Sequence, residues 1–430
     1  MAKKHIAIAA VAVSALLLAG CSSGGGGSAD GPPSGEITVL TNRTDLIKSK
    51  VYDGYVAEFN KIYPDVTVKL QGITDYEGEV TTRLSTKSYG DVLGIPNSVT
   101  PDQLPQFFEP LGETASLSDT YRFLNDKSFD GTQYGMPTFG NASGILYNKR
   151  IWKEAGVTTI PTTPEEFIAD LKLIKENTDA IPYYTNYKDG WPLSSWQGAQ
   201  GFSGDPAVVA DRDASDAPWT EDSEQYVTDS LLFDVVHDGL SEPDPLTTAW
   251  EGSKTLIATG EAASAVLGSW AIVQFQAAAI DAGADPADIG YMPFPYQKDG
   301  KFHSNISGDF NNAVNVNSKN KVAARAWVDW FTAKSTFAAD SGALSSLKTA
   351  ANPSTLDDFT EADVQYVELD AAKKPSLDSD IYNKAEIDLF GSIYRQKLVD
   401  IARGAADGDK KSYFADLNKR WAEAKSEVES

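Results

Sequence analysis

The chain has 430 residues, 41% of them hydrophobic and 23% charged, which is the composition of a globular protein large enough for two domains. Its 61 Asp and Glu residues outweigh 37 Lys and Arg residues, and the formal net charge of −24, with no basic stripe to offset it, excludes nucleic acid as a partner. With a single cysteine the chain can form no internal disulfide, so its fold must depend on a hydrophobic core.

The N-terminal residues predict export followed by a flexible tether. A short basic start precedes the apolar run Ile6–Leu18, which is too short for a standing membrane helix but typical of a signal peptide. Residues 22–35 include six Gly, four Ser and two Pro, with too few apolar residues to fold. We therefore expect residues 1–20 to be a signal peptide and residues 21–35 to be a tether.

Small residues lead from the apolar run into the only cysteine. The sequence Leu18-Ala19-Gly20-Cys21 resembles a bacterial lipobox. This resemblance implies that Cys21 is lipidated, as with palmitate, and becomes the mature N-terminus. The protein would then be lipid-anchored at the extracellular face of the bacterial cell membrane. The alternative is an ordinary signal peptide with an incidental cysteine.

Strand and helix patterns alternate after the tether. Predicted strands lie at 36–41, 66–70 and 91–95, and predicted helices at 46–59 and 76–84. Short links between them predict right-handed crossovers and a parallel sheet. Ligands of such sheets bind beyond the carboxyl ends of the strands, so we expect the loops 42–45, 72–76 and 96–98 to share one rim.

The patterns continue to the C-terminus without an internal repeat. A Thr cap with a carboxylate three residues later predicts a helix that begins near Pro164 and ends near Asn177. Asp205–Pro218 is rich in Asp and Pro and predicts a surface loop. Further strands are predicted at 181–187, 262–267, 289–293 and 313–316, and further helices at 222–237, 246–258, 269–282, 321–331 and beyond 363.

Taken in order, these segments resemble the extracellular solute-binding proteins of ABC importers, in the maltose-binding-like carbohydrate group (family 1). The resemblance covers residues 36–430. The matching motifs are Tyr55, Phe59, Tyr63-Pro64 and Val66; Gly90-Asp91-Val92; Tyr134-Gly-Met-Pro137; Leu146-Tyr-Asn-Lys149; and Leu267-Gly-Ser-Trp270. The chain departs from the family at Gly308-Asp309, where Gly-Gly is frequent, and at Leu347-Lys348, where Leu-Pro is frequent.

The resemblance implies an α/β fold of two lobes, each a mostly parallel sheet flanked by helices, joined by a multi-strand hinge. Carried onto this chain, it predicts lobe 1 from 36–139 plus about 307–350, and lobe 2 from 140–306 plus about 351–430. The chain would cross between lobes near 138–141, 305–308 and 350–353. A ligand held between the lobes would stabilise their closed form, because only closure brings both sets of contacts to it.

A sugar site needs flat aromatic rings for stacking and polar side chains for the hydroxyl groups. The resemblance places a stacking residue at Trp270, and the loop position of Trp191 favours the same role. Aromatic residues on amphipathic helices or strands are predicted to be core instead; these are Tyr183, Phe202, Trp327, Trp330 and Trp421. The candidate ligand-binding residues are Arg43, Asn97, Asn141, Lys188, Asp189, Trp191, Trp196, Trp250, Trp270, Asp309 and Phe390.

The resemblance implies a binding protein that is not an enzyme and delivers its ligand to membrane permease subunits powered by a cytoplasmic ATPase. The many aromatic residues favour an oligosaccharide, bound by a monomer without cofactor or metal. Two alternatives stay open. A secreted lipoprotein glycoside hydrolase would need a carboxylate pair among the 61 acidic residues. The other alternative is a binder of another solute, such as a peptide or a metal. The scarcity of His and Cys argues against a metal as that solute.

Overall fold

The computed structural model describes residues 31–370 and 377–430. The predicted signal peptide, Cys21 and most of the tether lie outside the described residues. Residues Pro33–Ser430 form one compact unit. None of the helices in the described part of the chain is long and apolar enough to span a membrane.

Strands and helices alternate through this unit. The strands are β1 (Gly35–Thr41), β2 (Val66–Gly72), β3 (Val92–Gly94), β4 (Gly112–Glu113), β5 (Ser128–Phe129), β6 (Thr132–Gln133), β7 (Met136–Asn148), β8 (Ser264–Gly268), β9 (Ile289–Met292), β10 (Gln297–Lys298), β11 (Lys301–Val314) and β12 (Gln365–Val367). The α-helices are α1 (Thr44–Lys48), α2 (Val51–Ile62), α3 (Tyr76–Leu84), α4 (Leu104–Phe107), α5 (Thr114–Leu117), α6 (Lys149–Glu154), α7 (Pro164–Asn177), α8 (Ser195–Gly198), α9 (Val208–Ala214), α10 (Glu224–His237), α11 (Trp250–Thr259), α12 (Ile272–Ala282), α13 (Lys321–Ala333), α14 (Phe337–Asp340), α15 (Asp357–Glu361), α16 (Leu377–Lys384), α17 (Ile393–Ala402) and α18 (Lys410–Glu429).

Local sequence explains several of these boundaries. The Thr163 hydroxyl accepts the Glu166 N–H at 3.2 Å, and the Glu166 carboxylate accepts the Thr162 N–H at 2.7 Å, so α7 begins where the cap pattern predicts. The helix predicted at 46–59 is instead two helices, because Lys50 between α1 and α2 has a φ of 64°.

The main sheet is mixed rather than parallel throughout. Strands β2, β1 and β3 pair in parallel, as the alternating strand and helix patterns predict. The two long strands β7 and β11 pair antiparallel with each other, β11 continues antiparallel to β3, and β7 continues antiparallel to β8 and β9. β7 and β11 join the two halves of the sheet and contain the positions predicted for the first two crossings between lobes, so we call them the crossing strands.

The hydrophobic core falls into clusters on either side of these crossing strands. In the first lobe, Phe59 packs edge-on against Trp327 with ring centroids 5.0 Å apart, and both side chains are fully buried. In the second lobe, Trp196 and Trp421 are fully buried in one large cluster. The aromatic side chains predicted to be core are all buried, which confirms that prediction for Tyr183, Phe202, Trp327, Trp330 and Trp421.

A third passage of the chain runs beside β7 after α14. Leu344 exchanges both backbone hydrogen bonds with Gly140, at 2.8 and 2.9 Å. Ala343 packs in the cluster that contains Phe59, and Leu344 packs in the cluster that contains Ala142. The crossing expected near 350–353 stays a prediction.

The prediction of a surface loop at Asp205–Pro218 is wrong, because this segment contains helix α9. Arg212 on α9 is buried, and its guanidinium donates to the Asp378 carboxylate of α16 at 2.7 Å. A buried ion pair with a residue far along the chain therefore anchors a segment whose composition is typical of a loop.

Candidate functional site

Three tryptophan side chains form a cluster on the second lobe. The ring centroid of Trp191 lies 5.0 Å from that of Trp250 and 5.9 Å from that of Trp270, and the last two rings are 5.6 Å apart. Trp191 is 42% exposed, Trp270 is half-buried and Trp250 is 9% exposed. The tryptophan cluster therefore presents aromatic surface to solvent while its base is fixed by packing.

Two short turns and one helix start hold the tryptophan cluster in place. Gly190 adopts a φ of 72°, and an added side chain there would collide with Ser392, so glycine suits the turn that aims Trp191 outward. Asp189 accepts the backbone N–H of Trp250 at 2.6 Å and so caps the start of α11. Asp189 thus positions Trp250 through the backbone.

The tryptophan cluster is attached to the crossing strand β7. The Ser269 hydroxyl accepts the Ala142 N–H at 2.9 Å, and Gly268 of β8 pairs with Ser143 of β7. Ser269 precedes Trp270, and Ala142 follows Asn141, so Trp270 lies beside the part of β7 that carries Asn141.

Asn141 and Asp309 form a polar pair across the two crossing strands. The Asn141 amide donates to the Asp309 carboxylate at 3.2 Å, and the buried carbonyl oxygen of Asn141 has no hydrogen-bond partner among the described residues. Burial raises the pKa of Asp309, while the hydrogen bonds from Phe310 and Asn141 oppose that shift. A ligand hydroxyl that donates to the free Asn141 oxygen would satisfy it.

The first lobe carries two cavities, and Asp309 of the polar pair lines the larger one. The larger cavity, of about 520 Å³, is lined by Asn97, Asp309 and Asn311 among others. Asn311 is 5% exposed, and its side-chain Oδ1 also lacks a hydrogen-bond partner within the described part of the chain. The smaller cavity, of about 30 Å³, is bordered by Arg43 at the end of β1.

Arg43 and Asn97 both lie at the rim predicted from the strand ends. The Arg43 guanidinium makes two hydrogen bonds to the Asp45 carboxylate, at 2.8 and 3.0 Å, and these bonds raise the pKa of Arg43 and lower that of Asp45. Asn97 is exposed, and its backbone N–H donates to Glu77 at 2.9 Å. The side chain of Asn97 is free of any hydrogen bond that the structure records.

The remaining candidate residues are Lys188, Phe390 and Trp196. Lys188 is exposed, and its backbone N–H donates to Thr248 at 3.2 Å. Phe390 is 55% exposed and packs edge-on against Tyr382. Trp196 departs from the prediction: it is fully buried, its indole N–H donates to the Tyr183 hydroxyl at 2.9 Å, and it offers no surface to a ligand.

Phe310 is a residue of this region that the sequence interpretation missed. It follows Asp309 on β11, borders both first-lobe cavities and is 42% exposed. Its φ of 46° is unusual for a bulky residue in a strand. The only sequence signal was an aromatic residue beside the predicted second crossing, where strands also bury aromatic side chains.

The described residues hold no group of three or more His, Cys, Asp and Glu side chains arranged to bind a metal ion. The arrangement instead combines aromatic faces, amide groups and carboxylates. Such groups bind neutral, hydroxyl-rich ligands.

Several known proteins are similar to this chain. The family profile described as bacterial extracellular solute-binding protein matches residues 44–336. The diacetylchitobiose binding protein DasA of Streptomyces coelicolor is 30% identical over 197 residues, which is 42% of this chain and 45% of DasA. The match thus spans less than half the length of that curated relative.

Two solved structures are similar over 92% of this chain and 95% of theirs, both with a TM-score of 0.77. One is BlMnBP1 from Bifidobacterium animalis subsp. lactis, a binding protein of an ABC transporter in complex with mannobiose, which is 34% identical. The other is the manno-oligosaccharide specific solute binding protein BlMnBP2 from the same organism, in complex with mannotriose, which is 32% identical.

Proposed function

This chain belongs to the family of bacterial extracellular solute-binding proteins, and from that premise we propose that it captures an oligosaccharide between its lobes and delivers it to an ABC importer. Lobe 1 would comprise 36–139 plus about 307–350, and lobe 2 would comprise 140–306 plus about 351–430. The permease subunits of the importer would be its membrane partners. The protein would act as a monomer and without a cofactor.

The observation that carries the proposal is the closeness of the tryptophan cluster to the polar pair on the crossing strands. Trp270 and Asn141 lie on either side of the hydrogen bond between Ser269 and Ala142. Sugar rings have apolar C–H faces and fixed hydroxyl groups at their edges. A ring on Trp270 could therefore direct its edge toward Asn141 and Asp309.

Manno-oligosaccharides are the sugars that we favour as ligands. BlMnBP1 and BlMnBP2 are similar to nearly the whole of this chain, whereas DasA matches only 42% of it. Diacetylchitobiose is the second candidate, because the DasA match has a comparable identity of 30%.

Isothermal titration calorimetry of the mature protein tests the proposal directly. The ligand panel is mannobiose, mannotriose, diacetylchitobiose and maltotriose, with mannose as the monosaccharide control. We expect saturable heat with one sugar per chain, and tighter binding of mannotriose than of mannose. Heat that does not saturate with any sugar of the panel would contradict the proposed function.

A glycoside hydrolase would differ from a binding protein in the same samples. We expect the oligosaccharides to be recovered intact after long incubation with the protein. Shorter products, seen by chromatography and NMR, would support the enzyme alternative.

We further propose that Cys21 carries a lipid anchor that holds the protein outside the cell membrane. The supporting observation is the lipobox-like sequence before Cys21. Mass spectrometry of the protein purified from a bacterial membrane should find acyl chains on Cys21 at the N-terminus. A free thiol at Cys21, or cleavage elsewhere, would contradict the anchor without affecting the proposal for sugar binding.

A further inference from the structure

Phe310 combines two features that are unfavourable for stability alone. Phe310 is 42% exposed, although Ala313 on the same strand is fully buried. Its backbone has a φ of 46°, a conformation that bulky side chains disfavour. Backbone strain of this kind persists where the surrounding structure imposes it, and such sites are enriched at ligand contacts.

The ladder between β11 and β7 is interrupted at Phe310. Asp309 pairs with Phe139 and Asn311 pairs with Pro137, so the ladder is in register on both sides of Phe310 but skips Phe310 itself. The other edge of β11 faces β3. Directly after β3, the Ile95 N–H donates to the backbone carbonyl oxygen of Asn311 at 2.8 Å. Phe310 thus lies at the one unpaired position between Asp309 and Asn311, just before β11 begins to pair with β3 at Asn312.

The ring lies between the two first-lobe cavities. Phe310 borders the small cavity together with Arg43 and the large cavity together with Asn97. Phe139 supports it from below, edge-on, with ring centroids 6.3 Å apart. The partly exposed Phe310 side chain therefore lies beside polar side chains, and Asp309 next to it belongs to the polar pair.

We propose that Phe310 is the stacking residue of the first lobe, which takes the face of one sugar ring while the tryptophan cluster takes another part of the oligosaccharide. This inference rests on the proposed function and adds a contact on the lobe opposite the tryptophan cluster. A ring held by Phe310 would place its hydroxyl groups over the cavities on either side.

The test compares Phe310→Ala and Phe310→Gly with wild type by calorimetry, using the oligosaccharide that wild type binds most tightly. Both variants should lose affinity by about 5- to 10-fold, because both lack the ring. Phe310→Gly should melt at a higher temperature than Phe310→Ala, because glycine adopts a positive φ without strain. The control is Phe129→Ala on β5, which removes a ring that is 39% exposed and borders neither cavity; it should bind like wild type.

Three results would overturn the inference. Wild-type affinity in both Phe310 variants would show that the ring does not contact the sugar. Wild-type affinity in Phe310→Gly alone would show that the backbone conformation matters and the ring does not. A wild-type protein that binds no sugar of the panel would overturn the proposed function and this inference together, whereas the first two results would leave the proposed function intact.

Discussion

Tryptophan residues close together in the sequence have opposite roles in this molecule. Trp191 is 42% exposed in the tryptophan cluster, whereas Trp196 is fully buried five positions later. Gln197 beside Trp196 is itself buried and accepts from the Arg395 guanidinium at 2.7 Å. A buried polar network can thus surround a core tryptophan with residues that look like surface residues in the sequence.

We expect Trp270→Ala to lower the affinity for the bound oligosaccharide about tenfold, because it removes a stacking face beside Asn141. Calorimetry measures the affinity, and urea unfolding checks that the variant is folded. An affinity equal to that of wild type would remove Trp270 from the site.

Trp196→Phe is the matched variant in the core. It removes the indole N–H that donates to Tyr183, and we expect a loss of about 1–3 kcal/mol in the free energy of unfolding with unchanged affinity. A large loss of affinity at full stability would show that Trp196 reaches the ligand after all.

Short elements rather than long helices position the aromatic side chains of the site. Trp191 opens the 3₁₀ turn Trp191–Ser194, Trp250 begins α11, and Trp270 lies in the 3₁₀ turn Ser269–Ala271. Each ring therefore depends on backbone hydrogen bonds at an element end, where few local bonds exist.

We expect Asp189→Ala to destabilise the protein by about 0.5–2 kcal/mol, because it removes the carboxylate that accepts the Trp250 N–H at the start of α11. The affinity for the sugar should fall as well, because Trp250 loses its anchor. Asp189→Asn keeps an acceptor oxygen and should restore most of the stability and affinity. If alanine and asparagine were equally harmful, the charge of Asp189 would matter rather than the cap.

Helix α9 shows where sequence patterns reach their limit. The patterns located β1, α3 and α7 correctly, because alternation, periodicity and caps are local signals. They failed at α9, whose Arg212 is buried and paired with Asp378 in another part of the chain, a contact that no local signal reveals. They also missed Phe310, because no local pattern marks a residue of positive φ at a point where a strand ladder is interrupted.

Asp213, next to Arg212 on α9, should make stability depend on pH. Burial, and then the hydrogen bond and negative charge of Asp378, raise the pKa of Asp213 to about 7, while Arg212 and Lys425 oppose the shift. The folded state therefore binds an extra proton between about pH 4 and 7, and stability should fall as the pH rises through that window.

Urea unfolding at pH 5 and pH 8 tests this expectation with Asp213→Asn. The variant carries no charge at position 213. Its free energy of unfolding minus that of wild type should therefore be more positive at pH 8 than at pH 5, by about 1 kcal/mol or more. Asp211→Asn, an exposed change on the same helix, is the control and should show the wild-type pH dependence. An equal effect of Asp213→Asn at both pH values would contradict the raised pKa.

At the scale of the whole molecule, the crossing strands unite the fold and the site. β7 carries Asn141 and is bonded to the turn of Trp270, while β11 carries Asp309 and Phe310. The order of motifs along the chain was sufficient to predict two lobes joined by such strands. It could not predict that β11 pairs antiparallel with both β3 and β7, because that arrangement depends on contacts between distant segments.

The site's position on the crossing strands has a consequence for motion. A sugar that contacts Trp270 on one lobe and Asp309 or Phe310 at the other would favour the conformation in which both contacts exist. Closure would then depend on the ligand's higher affinity for the closed form.

A crystal structure of the protein with its tightest-binding oligosaccharide tests the central claim most directly. We predict one sugar ring on the face of Trp270, hydroxyl groups within hydrogen-bond distance of Asn141 and Asp309, and a second ring on Phe310. A sugar bound to one lobe only, or away from β7 and β11, would contradict the account.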